Sequence, residues 1–393
     1  MAAHGLRHGS TWLLLAFSVT TTFGAVPNGL DLKLVKELTK DLGKNQAISP
    51  FVVSTLMSQV WLSAGGSTRR EITSALGVTQ PAPESFLTAY QSAINYISSP
   101  ANSSHITMSV FSKMYVREGW TIKQSFIDLL TTYYGASGVS YFSYTKEAAD
   151  EINSDVANVT NNRIPSLVSE KQLERTSLVL VSALYFKGNW KDAFQPDGKG
   201  SFLTINGEKP VDMMKLTETN FPYTNMGSYD AMSLPYADDQ YCMIIIRPVN
   251  RSMDAVAALR DSFDQIDVDG LVERMYDPFG TMDIKMPRFT LRTTYTLNEA
   301  LEQIGIREIF HSPDLSGLYE QRNGIYVGSV IHKVFMEVNE NGTEAAGAGA
   351  VLYKWESVSL NPPDEFFVDR PFFALVYNKL HKINLFTAFI ASP

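Results

Sequence analysis

A chain of 393 residues, 45% hydrophobic and 19% charged, can bury a sizeable core and carries too little charge for a disordered polymer. A formal charge of −8 gives no general electrostatic support for nucleic-acid binding. Cys242 is the single cysteine, which excludes an internal disulfide framework and leaves the fold to rest on its core.

Residues 1–24 read as a removable secretory leader. Arg7 gives a positive start, "TWLLLAFSVT" an apolar stretch, and Thr22-Phe23-Gly24 a cleavage context. That run is too short to span a bilayer, and no later segment approaches about 18 unbroken apolar residues. Asn102, Asn158, Asn250 and Asn341 open Asn-x-Ser/Thr glycan acceptors, as secretion permits. Residues 25–393 are read as one domain, secreted and extracellular.

The first third is helical in pattern. "GLDLKLVKELTKDL" (29–42) and "ESFLTAYQSAINYI" (84–97) carry apolar residues at helical spacing, and "STRREITSALG" runs from a Ser/Thr start to Gly77. Strand-like runs follow: "ITMSVFSKMYV", "TSLVLVSALYF", "YCMIIIRP" and "GTMDIKMPRFTL". Without a regular βαβ alternation, this mixture predicts an α+β fold with a largely antiparallel sheet.

Enzyme signals fail on their parts. After the leader the histidines are His105, His311, His332 and His381, and none has zinc-ligand spacing. The patterns HExxH and GxSxG are absent. Gly342 and Gly347 have phosphate-loop spacing, yet Ala348 and Gly349 stand where Lys and Ser or Thr would be needed. Cys242, inside "QYCMIIIRP", reads as a small buried hydrophobe. The chain is therefore expected to be no enzyme and to use no cofactor and no metal.

Residues 341–366, "NGTEAAGAGAVLYKWESVSLNPPDEF", are the anomaly. "IYVGSVIHKVFMEVNE" before them and "FFVDRPFFALVYN" after them are strand-like, and about twenty structureless residues between strands are uncommon unless the loop has a job. At period two, one face is Thr343, Ala345, Gly347, Gly349, Val351 and Tyr353: four small residues, then apolar ones. This is the pattern of a strand waiting for a tightly covered slot.

From about residue 29 onward the chain resembles the serpin family. "NQAISPFVVSTLMSQVWLSAGGSTRREI" (45–72) is similar to the family's N-terminal signature, and "SALYFKGNWKDAF" (182–194) to the strand with its buried tryptophan, Trp190. "IKMPRF", "DLSGL", "VIHKVFMEVNENGTEAAGAGA" and "VDRPFFALVYN…NLFTAFIASP" follow in family order. The resemblance implies three β-sheets, about eight or nine helices and an exposed reactive loop, about 341–366. It also implies a monomer whose partner is a target serine protease, held as a covalent acyl complex.

The implied mechanism is strand addition. A protease cuts the loop and forms an acyl-enzyme, and the freed N-terminal half enters the central sheet before deacylation. The implied hinge is Glu340, Gly342, Thr343, Glu344, Ala345, Ala346, Gly347, Ala348 and Gly349, and the implied sheet-opening cluster is Ser49, Ser182, Trp190 and His332. Counting seventeen residues from Glu340 puts the scissile bond at Glu356–Ser357; Lys354 and Val358 are the alternatives. The non-inhibitory alternative is a carrier, chaperone or binding protein. It draws on departures from the family pattern: Gly349 for Thr, Ser182 for Asn, and the Asn341 acceptor, expected to be unoccupied, within the hinge. Ala388 and Phe389 also replace the family's Gly-Arg. The helix near 84–97, which in some relatives carries the basic heparin site, has no Lys or Arg here, so heparin is not expected there.

Overall fold

The run Tyr241–Pro248 is buried at all of its positions, as a strand covered on both faces must be, and it lies inside one of three sheets. The computed structural model describes residues 26–78, 83–98, 105–135, 138–143, 146–174, 176–277, 281–320, 324–343 and 364–393. The leader expected at 1–24, the acceptor Asn102 and loop residues 344–363 lie outside them.

Tyr241–Pro248 belongs to an antiparallel six-stranded sheet with Gln46–Ile48, Ile383–Ile390, Phe372–Asn378, Tyr229–Pro235 and Tyr223–Asn225. A four-stranded sheet orders Asp364–Phe367, Met282–Pro287, Gly207–Thr219 and Gln195–Thr204. The third sheet orders Phe289–Thr296, Val327–Asn339, Leu178–Asn189, Ile106–Arg117 and Val139–Phe142, with the two-residue strand Gly342–Thr343 wedged in at one end. The antiparallel expectation holds except at three pairs, the most extensive being Val327–Phe335 alongside Leu178–Tyr185.

The third sheet separates two cores, and "LVLVSALYF" shows why its sequence does not alternate in polarity. Leu178, Leu180, Leu184 and Phe186 join the larger core, and Val179, Val181 and Ala183 the smaller. On the smaller side the sheet is covered by the helix Lys146–Val159 and the chain that follows it.

The three helices read from periodicity are present as Asp31–Leu38, Gly66–Leu76 and Pro83–Ser98. Gly77 ends the second in the left-handed region at φ 74°, where glycine carries no Cβ penalty. Eleven α-helices occur among the described residues, against the eight or nine expected; the excess lies in the four-residue turns Glu170–Leu173 and Glu308–His311. Helix Pro50–Ser63 is buried at every position and so shows no amphipathic stripe in the sequence. Ser49 caps it, its Oγ accepting from Val52 N–H at 3.3 Å.

Candidate functional site: the hinge root and the seam below it

Strands Leu178–Asn189 and Val327–Asn339 lie side by side as far as the pair Phe335 and Tyr185. Beyond it they part. Gly342–Thr343 sits between them, antiparallel to both: Thr343 faces Val338 on one side and Gly188 on the other, and Gly342 faces Asn339 and Asn189. The root of the expected hinge is thus already the first part of an additional strand.

Sequence chemistry fixes that root. Gly342 has φ 150°, and a Cβ there would stand 2.0 Å from Gly188 O. Thr343 is fully buried, and its hydroxyl pairs with Tyr236 Oη at 2.7 Å. Tyr236 stacks on Trp190 with ring centroids 4.7 Å apart. Trp190 Nε1–H donates to Asn339 O at 2.9 Å, and its backbone N–H to Asn341 O at 3.0 Å. The carbonyl of Glu340 accepts from Phe194 N–H at 2.8 Å. Its carboxylate Oε1 is buried without a hydrogen bond, and Arg288 Nη1 is the nearby cation at 3.6 Å. Burial raises the Tyr236 phenol well above its usual range, so Tyr236 is a neutral hydroxyl.

The cluster expected at the sheet opening is part of the seam. Ser49 backbone N–H donates to His332 Nε2 at 2.9 Å, and His332 Nδ1 lies 2.8 Å from Ser182 Oγ. Because Nε2 accepts, the neutral ring carries its proton on Nδ1 and donates it to Ser182. The ring is fully buried, and desolvation holds its pKa down at about 3. Among the described residues the partners of the two ring nitrogens are Ser49 N–H and Ser182 Oγ, and no carboxylate orients the imidazole. The geometry is that of a polar tie between two strands and a helix start.

Trp190 does not join that cluster. It follows Ser182 by eight residues along the same strand direction, about 26 Å at the usual rise, and belongs to the hinge root. Hinge residues Glu344 to Gly349, and the bond candidates Lys354, Glu356, Ser357 and Val358, lie outside the described residues. Asn158 and Asn250 are exposed, whereas Asn341 is half-buried in the turn before the inserted strand. Cys242 is fully buried, and burial pushes its thiol pKa up, away from nucleophile chemistry. Tyr236 and Arg288 were not anticipated; nothing in "SLPYAD" or "MPRF" signals a partner more than fifty residues away.

Comparison with known proteins agrees with this geometry. A family profile described as serpin (serine protease inhibitor) matches residues 26–393. The chain belongs to the serpin family. Iripin-8 of Ixodes ricinus is 32% identical over 363 residues, 89% of either chain. The human leukocyte elastase inhibitor is 30% identical over 376 residues, covering 93% of this serpin and 97% of that protein. The solved structure of human thyroxine-binding globulin has the same fold, with a TM-score of 0.81 at 21% identity over 94% of this chain and 98% of that one. The serpin fold thus hosts both inhibitors and binding proteins.

Proposed function

We propose that this serpin is a secreted suicide inhibitor of a serine protease, trapping the acyl-enzyme by adding its cut loop to the third sheet, between Leu178–Asn189 and Val327–Asn339. The observation that carries the reading is Gly342–Thr343, whose register with both neighbours gives the cut chain a start and a direction. Continued residue for residue, that register sets Gly349 six residues on, opposite both His332 and Ser182, so the new strand must break their mutual hydrogen bond. About a dozen new ladder bonds, each worth roughly 0.5–1.5 kcal/mol net, contribute on the order of 10 kcal/mol to the inserted state. The intact state is then held kinetically. The reading keeps Glu356–Ser357 as the bond attacked, with Lys354 and Val358 as alternatives.

Incubation with trypsin-like, elastase-like and Glu-cleaving proteases tests it: at least one forms a detergent-stable complex. Clean cleavage without complex by every enzyme rejects inhibition. Mass spectrometry of the released fragment identifies the bond.

One observation favours a second reading, a carrier. A cavity of about 340 Å³ is lined by Asp31, Asp269, Tyr377 and Asn384, and the buried atoms Asp31 Oδ1 and Asn384 Oδ1 have no hydrogen bond. A carrier whose sheet does not expand gains no stability when its loop is cut, which separates the two readings.

A further inference from the structure

The cavity beside helix Asp31–Leu38 has a one-sided chemistry. Asp31 and Asn384 both line it and are only 6% and 7% exposed. Asn384 spends its Nδ2–H on Thr387 Oγ1 at 2.6 Å, which leaves its Oδ1, like Asp31 Oδ1, an acceptor without a donor. Two donors at the same wall are already committed. Tyr377 Oη donates to Asp269 Oδ1 at 2.6 Å, and Lys382 Nζ to Glu273 Oε1 at 2.9 Å. The charges lean the same way: Asp31, Asp264, Asp267 and Asp269 line the cavity against Lys33 and Lys382. A buried acceptor left unpaired is costly and uncommon, so two in one cavity point to a donor that arrives from outside. A metal ion does not answer the description, because among the described residues no three His, Cys, Asp or Glu are grouped closely enough to hold one.

We propose that this cavity binds an amphipathic organic amine, its ammonium donating to Asp31 and Asn384 and its apolar body resting on Leu32, Ile266 and Val268. An ammonium carries up to three N–H donors and a positive charge, which is what the wall lacks. An anionic ligand meets bare acceptors and is repelled. Burial first, then Asp269 nearby, raises the Asp31 pKa well above the usual carboxylate range and favours the neutral acid in the free protein. As the ammonium seats, Asp31 gives its proton to water and becomes the counter-ion.

This inference rests on the carrier reading and names the class of ligand carried. Three probes of one skeleton test it: 4-phenylbutylamine, 4-phenylbutanol and 4-phenylbutanoate, each titrated into the uncut protein by calorimetry at pH 7. The amine should bind about ten- to a hundredfold more tightly than the alcohol, the factor one charge-assisted hydrogen bond supplies, and the carboxylate should not bind. Asp31→Asn keeps the shape and removes the charge, so it should lose that preference while holding the alcohol as wild type does. The comparison within the wild type needs no variant, so the proposal is tested even where Asp31→Asn does not fold. Alcohol or carboxylate bound as tightly as the amine, or a wild-type preference retained by Asp31→Asn, overturns the amine and leaves the carrier reading standing. Wild-type protein that binds none of the three also overturns it, and the carrier reading is then judged by the melting of the cut protein alone.

Discussion

His332 and Ser182 stand opposite each other on adjacent parallel strands, and their 2.8 Å hydrogen bond crosses the seam proposed to admit a new strand. With Ser49 N–H on its other nitrogen, the imidazole has a partner on each side only while it is neutral. Its folded pKa of about 3 is below the usual 6.5, so the unfolded chain binds the extra proton first as pH falls. The stabilisation is complete above about pH 6.5 and is lost progressively down to about pH 3. At pH 5 the loss is about 2 kcal/mol relative to pH 8. Urea unfolding at several pH values checks this: His332→Gln should show a shallower decline between pH 7 and 4 than wild type.

Thr343 and Tyr236 form a second buried pair, hydroxyl to hydroxyl. Thr343→Val or Tyr236→Phe removes one partner and leaves the other without a bond, costing about 1–3 kcal/mol. The double variant should cost less than the sum of the two, and thermal melts of all four proteins close the cycle.

Gly342→Ala puts a Cβ against the Gly188 carbonyl and into a φ that side chains avoid. The hinge root should leave the sheet. Trp190, bonded to Asn339 and Asn341 and stacked on Tyr236, should report the change as a red-shifted fluorescence. An unshifted spectrum with unchanged stability contradicts the close approach.

How far this was legible from sequence differs by element. Tyr241–Pro248 was readable to the residue because an apolar run between turns has one interpretation inside a sheet. "GTMDIKMPRFTL" reads as one strand but serves two sheets: Met282–Pro287 pairs with Gly207–Thr219, and Phe289–Thr296 with Val327–Asn339. Local pattern cannot show a strand changing partners at Arg288. The polar hairpin Gln195–Thr219 was missed because its exposed face offers no apolar signal. At the site, Gly342 was legible as a place of close backbone approach, since such an approach leaves a compositional trace. Tyr236, Arg288 and the true place of Trp190 left none, because pairing across the fold is set by register.

If Gly349 is to enter between His332 and Ser182, its lack of a side chain weakens the strand by about 0.5–1 kcal/mol. Gly349→Thr should lower the number of inhibitor molecules consumed per protease trapped. Titration of protease activity measures this ratio. A rise on substitution would show that the bare backbone is needed at that crossing.

The central claim is that residues after Thr343 continue the strand that Gly342–Thr343 begins. The most direct test is the melting temperature before and after a single cut in the loop between 350 and 360. Insertion predicts a rise of at least about 10 °C, the scale of about a dozen ladder bonds in a chain of this size. A cut protein that melts no later than the intact one contradicts the account.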